Sequence, residues 1–185
     1  MSTTTQLNQL NQHLLNVSQA IVGNDPGRLV KLFELVFSIH AIGGIMTGSA
    51  HPLFEGGVHP NDFDFILEGS WQKYDKRFCK LAGQLFDYKN LSFFWKDSGK
   101  KVIDLVFERN PPKECLIQDV RCVEPKLLLR SYRQNDEDRE GKDDRLKISI
   151  IERYIENHPQ VQASCSTGDD TDTDTNSDSV CKKLF

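Results

Sequence analysis

The hydrophobic positions of this chain change period several times, and each change marks an element. Leu7, Leu10, Leu14, Val17 and Ile21 recur at three- and four-residue intervals, which predicts an amphipathic helix. "NDPGR" then restarts the chain. Asp25 suits an N-cap and Pro26 the first helical position, where its missing N–H goes unused, so a second helix is expected to about Ser38. "HAIGGIMTG" predicts a short buried strand interrupted by glycines, and "DFDFILEG" a strand that alternates acid with phenylalanine. In "SWQKYDKRFCKLAGQLF" the residues Trp71, Tyr74, Phe78, Leu81 and Leu85 keep helical spacing behind Ser70 as a cap. Two apolar runs in "LSFFWKDSGKKVIDLVFE" flank Asp97-Ser98-Gly99, a hairpin signal. "CLIQDVRCV" predicts one further strand. Pro125 opens a helix in "PKLLLRSYRQ", and "DRLKISIIERYIEN" gives another, ended by His158-Pro159.

Helix, helix, strand, strand, helix, hairpin, strand, helix, helix is the order of an α/β (α+β) domain, a small mixed β-sheet flanked by helices. Residues 1–24 read as an N-terminal helix, 25–158 as the main domain and 159–185 as a disordered acidic tail, because the last stretch lacks large apolar residues until its final pair. Trp71, Trp95 and the phenylalanines are expected in the core, and His40 is expected as a hydrogen-bonded core residue rather than a ligand.

Charge narrows the partners. From His158 onward Asp169, Asp170, Asp172, Asp174 and Asp178 stand against Lys182 and Lys183, a net of −3 out of −4 for the whole chain, which leaves about −1 on the body. A near-neutral body with its bases mixed among acids, as in "REGKDDRLK", argues against nucleic acid as the main partner. The five cysteines form no C-x-x-C pair, no Cys/His cluster has zinc-ligand spacing, and Cys181 is too far from the end for a prenylation box. With no signal peptide and no long apolar run, a cytoplasmic (or nuclear) setting without a membrane is expected.

Candidate chemistry begins at "NDFDF". Asp62 and Asp64 lie two apart, so a strand points both carboxylates to one face and Phe63 and Phe65 to the other. Two such anions call for a cation between them; the plainer alternative is an acidic turn before a strand. In "KVIDLVFE" Asp104 interrupts a run that is otherwise apolar on both faces. It either pairs with a nearby Lys or Arg, or reaches water, or joins Asp62 and Asp64 from a neighbouring strand. Three carboxylates converging on one sheet surface can bind two divalent cations, as phosphoryl transfer requires. Upstream, Gly48-Ser49 in "TGSA" follows a strand. A glycine there lets backbone approach a phosphate closely, and a serine hydroxyl with nearby N–H groups can bind its oxygens.

The combination of "IMTGS", "DFDF" and "IDL" resembles the polymerase-beta-like nucleotidyltransferase superfamily over residues 28 to 155, and "CVEPKLLLRSYR" followed by "REGKDDRLKISII" looks like the end of its minimal and antibiotic-type members. The resemblance implies a sheet edge carrying Mg2+ (or Mn2+) and a nucleoside triphosphate such as ATP. In that scheme Gly48 and Ser49 hold the terminal phosphates, Asp62 and Asp64 bind both metal ions, and Asp104 completes the second metal site and helps activate an acceptor hydroxyl. Lys126, Arg130 and Lys142 are the bases that would reach in from the later helices. The chain departs from the family pattern in having no Arg or Lys in "AHPLFEGGVHPN" and in placing Asn61, rather than Ser, before the first acid. His51 and His59 are weak substitutes near neutral pH. Gly43-Gly44 is an alternative to Gly48-Ser49, at a longer spacing from Asp62.

Two other readings compete. A glycosyltransferase also uses D-x-D to hold a metal and a sugar nucleotide, but needs neither the upstream G-S nor a third strand acid. A degenerate nucleotidyltransferase fold serving as a binding or regulatory module tends to lose one of the three acids, and this chain keeps all three. The acceptor is open between a small alcohol or antibiotic, a protein side chain and a nucleic-acid 3′ end, and it is selected by the outer helices or by a partner subunit, as in a homodimer. In the tail, "STGDDTDTDTNSDS" suits acidophilic kinases and "KKLF" resembles a docking peptide for a protein partner.

Overall fold

The computed structural model describes residues 3–138 and 144–159. They form α1 (Thr3–Val22), α2 (Pro26–Ala41), β1 (Ile45–Thr47), β2 (Phe63–Glu68), α3 (Asp75–Ala82), β3 (Phe86–Lys89), β4 (Ser92–Trp95), β5 (Lys101–Glu108), β6 (Glu114–Ile117), β7 (Val120–Val123), α4 (Pro125–Asp138) and α5 (Arg145–Asn157). Two compact units divide at Val123/Glu124.

The first unit is a mixed, seven-stranded sheet in the order β3-β4-β5-β2-β1-β7-β6. β2 runs parallel to β5, β1 runs parallel to β7, and the other neighbours are antiparallel. α1 and α2 add the apolar stripes that the periodicity predicts: Leu14, Val17 and Ile21 from α1, and Leu32, Leu35, Val36 and Ile39 from α2, join Phe63, Phe65 and Leu67 of β2 in one core. The α2 cap forms as its chemistry demands, with Asp25 accepting from the Arg28 N–H at 3.0 Å and Pro26 at the helix start.

Three elements differ from the sequence expectation. α2 continues to Ala41, so His40 ends a helix instead of opening a strand, and its Nε2 accepts from the Arg121 N–H at 3.0 Å. α3 stops at Ala82 because Gly83 adopts φ 55, ψ −135, a conformation L side chains rarely hold, and Phe86 begins a strand instead. Trp71, expected in the core, and Leu85, expected on the same helix, are 44% and 46% exposed, since that helix is replaced by a 3-10 turn at one end and ends before Leu85 at the other. "CLIQDVRCV" is two strands and not one. Gln118 (φ 52) and Asp119 (φ 60) make a tight left-handed turn between them, as Asn90 (φ 52) and Leu91 (φ 60) do between β3 and β4. Neither turn contains the glycine that usually marks such hairpins.

In the second unit α4 and α5 pack together. Lys147 bonds Asp144 at 2.9 Å and lies 4.8 Å from the centre of the Tyr132 ring, and Arg133 bonds Glu152 at 2.6 Å. No helix among the described residues is long and apolar enough to cross a membrane.

Candidate active site

Burial of the two phenylalanines orients the acids. Phe63 and Phe65 are fully buried, which is worth about 3–6 kcal/mol for the pair. Two carboxylates about 7 Å apart, the spacing of alternate strand residues, would repel by about 0.6 kcal/mol in water and about 2.4 kcal/mol at surface-like dielectric. The aromatic term therefore sets the face, and the remaining repulsion must be offset locally. Asp62 sits in the bend just before β2, and Asp64 is its second residue.

Asp64 is the register partner of two residues at once: Thr47 across β1 and Asp104 across β5. The parallel β2–β5 pairing thus brings the third sequence-predicted acid beside the second. Asp104 accepts from the Ser92 hydroxyl at 2.5 Å and from Lys101 Nζ at 2.9 Å. The same ammonium lies 3.0 Å from Asp62 Oδ2, so Lys101 bridges Asp62 and Asp104. Burial by itself would lower the Lys101 pKa, but its hydrogen bonds to Asp104 and Asp62 and their negative charges reverse that and hold it above the usual ammonium value.

Neither Lys101 nor Ser92 was legible as a site residue. Strict alternation sends residues three apart to opposite faces, which would separate Lys101 from Asp104. A bulge intervenes: Phe93 pairs with Ile103 while Phe94 pairs with Lys101, leaving Val102 as the extra residue. With the register at Phe94–Lys101, Ser92 would meet Ile103; the bulge moves it to Asp104. Nothing in the sequence announces a bulge at Val102.

On the other side of Asp64 lies Gly48, at φ 64 in the 3-10 turn Gly48–Ala50 that follows β1. A Cβ at this position would stand 2.7 Å from Asp64 Cγ and closer still to Oδ2, so any larger residue here requires the Asp64 side chain to shift, and the positive φ adds its own cost. Gly43-Gly44 is at the other end of β1, where Ile45 pairs with Ile66, and a Cβ on Gly44 would meet the Ile39 carbonyl at 2.8 Å. Gly44 is therefore a packing glycine, and Gly48 is the one that faces the acids. Ser49 is half-buried and lines a cavity of about 330 Å3 together with His13, Glu55 and His59. The acids are not part of that cavity's lining.

The turn carrying Gly48-Ser49 is anchored from two directions. His13 of α1 is buried, with Nε2 3.0 Å from the Ala50 carbonyl and Nδ1 3.0 Å from Glu55 Oε2. His51 is fully buried, its Nε2 2.9 Å from the Val123 carbonyl while Nδ1 accepts from the Leu53 N–H at 3.3 Å. Burial lowers the His51 pKa to about 4. Both ring nitrogens are engaged and the ring is neutral near pH 7, which removes His51 as a phosphate-binding base. His59 is exposed at the cavity.

No family model, curated protein or solved structure matches this chain. The site therefore stands on its own geometry. Among the described residues no group of three or more His, Cys, Asp and Glu side chains is gathered closely enough to hold a metal ion. Asp62 and Asp104 direct carboxylate oxygens at one positive centre, the Lys101 ammonium, with Asp64 beside Asp104 in register. Lys126 and Arg130 lie one helical turn apart on α4, in the second unit, and Lys142 lies outside the described residues.

Proposed function

We propose that this chain is a metal-dependent nucleotidyltransferase of the polymerase-beta-like fold, moving a nucleoside monophosphate from a triphosphate to an acceptor hydroxyl. The observation that carries the reading is the three-way relation of Gly48, Asp64 and Asp104. A glycine at positive φ abuts an acid too closely for a Cβ to stand between them, and that acid is in register with a second acid on a parallel strand. A structural acid pair needs no such glycine.

In this reading Asp62, Asp64 and Asp104 would hold magnesium or manganese in place of the Lys101 ammonium, whose flexible stem would let it turn aside. Bound there, such ions supply Lewis-acid stabilisation of phosphate oxygens and lower the pKa of a coordinated hydroxyl. Gly48 and Ser49 offer backbone N–H groups and a hydroxyl to the terminal phosphates. Asp104 orients the acceptor hydroxyl and takes its proton, while Ser92 fixes the second oxygen of Asp104. The acceptor oxygen forms its bond to the α-phosphorus as the bond to pyrophosphate breaks.

The degenerate binding module is the second reading, and one observation favours it. Lys101 already balances Asp62 and Asp104 without a metal. Thermal unfolding with each nucleoside triphosphate plus magnesium separates the two, run beside an Asp62→Asn/Asp64→Asn variant. Ligand at about a hundred times its dissociation constant adds roughly 2.7 kcal/mol, a rise of roughly 5–10 °C for a chain of this size. A magnesium-dependent rise confined to the wild type, followed by pyrophosphate release with a suitable hydroxyl, supports the enzyme. A magnesium-independent rise supports the module. No rise in either protein, with the variant folded, removes nucleotide binding altogether.

A further inference from the structure

The hairpin of β6 and β7 closes one edge of the sheet, and across it Cys115 and Cys122 are direct register partners. Their sulfurs are 3.8 Å apart, in contact as thiols with no disulfide between them. Directly opposed residues of antiparallel strands have Cα atoms about 4.5 or 5.5 Å apart, and both values fall within the roughly 4.4–6.8 Å that disulfides span. Closing a bond here asks for side-chain rotation and no movement of the strands.

The two thiols differ in access. Cys115 is half-buried on the edge strand, whereas Cys122 is fully buried one strand further in. The hydrogen bond with Cys115, and then burial, push the Cys122 thiol far above its usual value. An oxidant from solvent therefore reaches Cys115, and Cys122 stands behind it as the second sulfur.

We propose that Cys115 and Cys122 are a modification site, a cross-strand dithiol that a hydroperoxide converts reversibly into a disulfide. The Cys115 thiolate attacks the peroxide oxygen. An S–O bond forms, the O–O bond breaks, and the departing hydroxide or alkoxide takes up a proton. The Cys122 sulfur then attacks Cys115 Sγ, forming the S–S bond as hydroxide leaves with the proton that Cys122 gives up, as water. Two thiols lose two electrons and two protons in total, and the peroxide is reduced. A dithiol reductant reverses the step by exchange.

The position gives the bond a reach beyond its hairpin. Cys122 is the register partner of Met46 on β1, the strand that leads into Gly48, and the next residue, Val123, supplies the carbonyl that His51 contacts. Oxidation fastens the strand on which the Gly48–His51 turn is anchored. This inference does not depend on what that turn binds.

Trypsin offers a direct test, because cleavage after Lys113, Arg121 and Lys126 puts the two cysteines into separate peptides, 114–121 and 122–126. The reduced full-length chain is treated with graded hydrogen peroxide, remaining thiols are alkylated in denaturant, and the digest is read by mass spectrometry without reduction. The expected result is a linked pair of these peptides, lighter than their sum by two hydrogens. It is lost after dithiothreitol and absent from Cys115→Ser. The exposed Cys79 serves as the internal reference for oxidant strength. Three results overturn the proposal: both thiols still alkylated when Cys79 is oxidised, each carried separately to a sulfinic acid, or either linked to Cys79, Cys165 or Cys181 instead. The wild-type digest separates these outcomes even where the serine variant fails to fold.

Discussion

The carboxylate of Asp64 occupies the space in which a side chain at residue 48 would begin, with Cγ 2.7 Å from where the Gly48 Cβ would lie. Gly48→Ala is therefore expected to cost about 1–3 kcal/mol, part from the clash and part from the φ of 64. Replacing Asp64 by Ala removes Cγ and both oxygens and leaves Asp64 Cβ at 3.1 Å. In a double-mutant cycle measured by urea unfolding, the cost of Gly48→Ala should fall by about half in the Asp64→Ala background. Equal costs in the two backgrounds would show that the contact does not constrain the turn.

Lys101→Met keeps the aliphatic stem and removes the charge that bridges Asp62 and Asp104. Both ion pairs are partly open to solvent, so the expected loss is modest, about 1–2 kcal/mol, or roughly 2–8 °C in melting temperature. Millimolar magnesium or manganese should restore more of that loss in the variant than it adds to the wild type. A variant indifferent to both ions would place the three acids in a purely structural role.

Acid should weaken the fold through two histidines. Burial, followed by the positive charge of Arg121, lowers the His40 pKa to about 4, and burial does the same for His51. Because the folded values lie below the unfolded value of 6.5, these residues contribute stability that is fully present above pH 6.5 and is lost as pH falls toward 4. The loss is on the order of 3 kcal/mol for the more buried His51. Unfolding midpoints measured from pH 7.5 to 4 should slope less steeply in His51→Gln than in the wild type, and the curves should run parallel if the ring is protonated in the fold.

Asp119 holds φ 60 in the β6–β7 turn, and its Oδ2 is buried without a partner among the described residues. Asp119→Gly supplies the residue such turns favour and removes the orphaned oxygen, and is expected to stabilise by about 0.5–1 kcal/mol. A lower urea midpoint would mean that the aspartate makes up for its backbone cost elsewhere.

The sequence revealed the elements whose signal is local. The helix-spaced leucines of α1, the Asp25-Pro26 start of α2, the Phe-acid alternation of β2 and the Asp97–Gly99 turn each need only nearby residues to be read. It did not reveal β3 or the division of β6 from β7, because Asn90-Leu91 and Gln118-Asp119 turn the chain without a glycine. At the site, the three acids and Gly48 were visible as residue types at a spacing. Lys101 and Ser92 were not, since both reach Asp104 only through the bulge at Val102. That bulge is a property of how two strands pair, and alternation within either strand gives the opposite answer.

The parallel pairing of β2 with β5 also acts as a ruler. Asp64 and Asp104 sit on adjacent strands held about 4.8 Å apart by peptide hydrogen bonds on both sides. Their separation is a lattice constant of the sheet, which no loop can alter. The loop segments from 56 to 59 and from 109 to 113 can lengthen, shorten or change chemistry while the two carboxylates keep their interval. Such a sheet can keep one spacing of acids while its rim is rewritten.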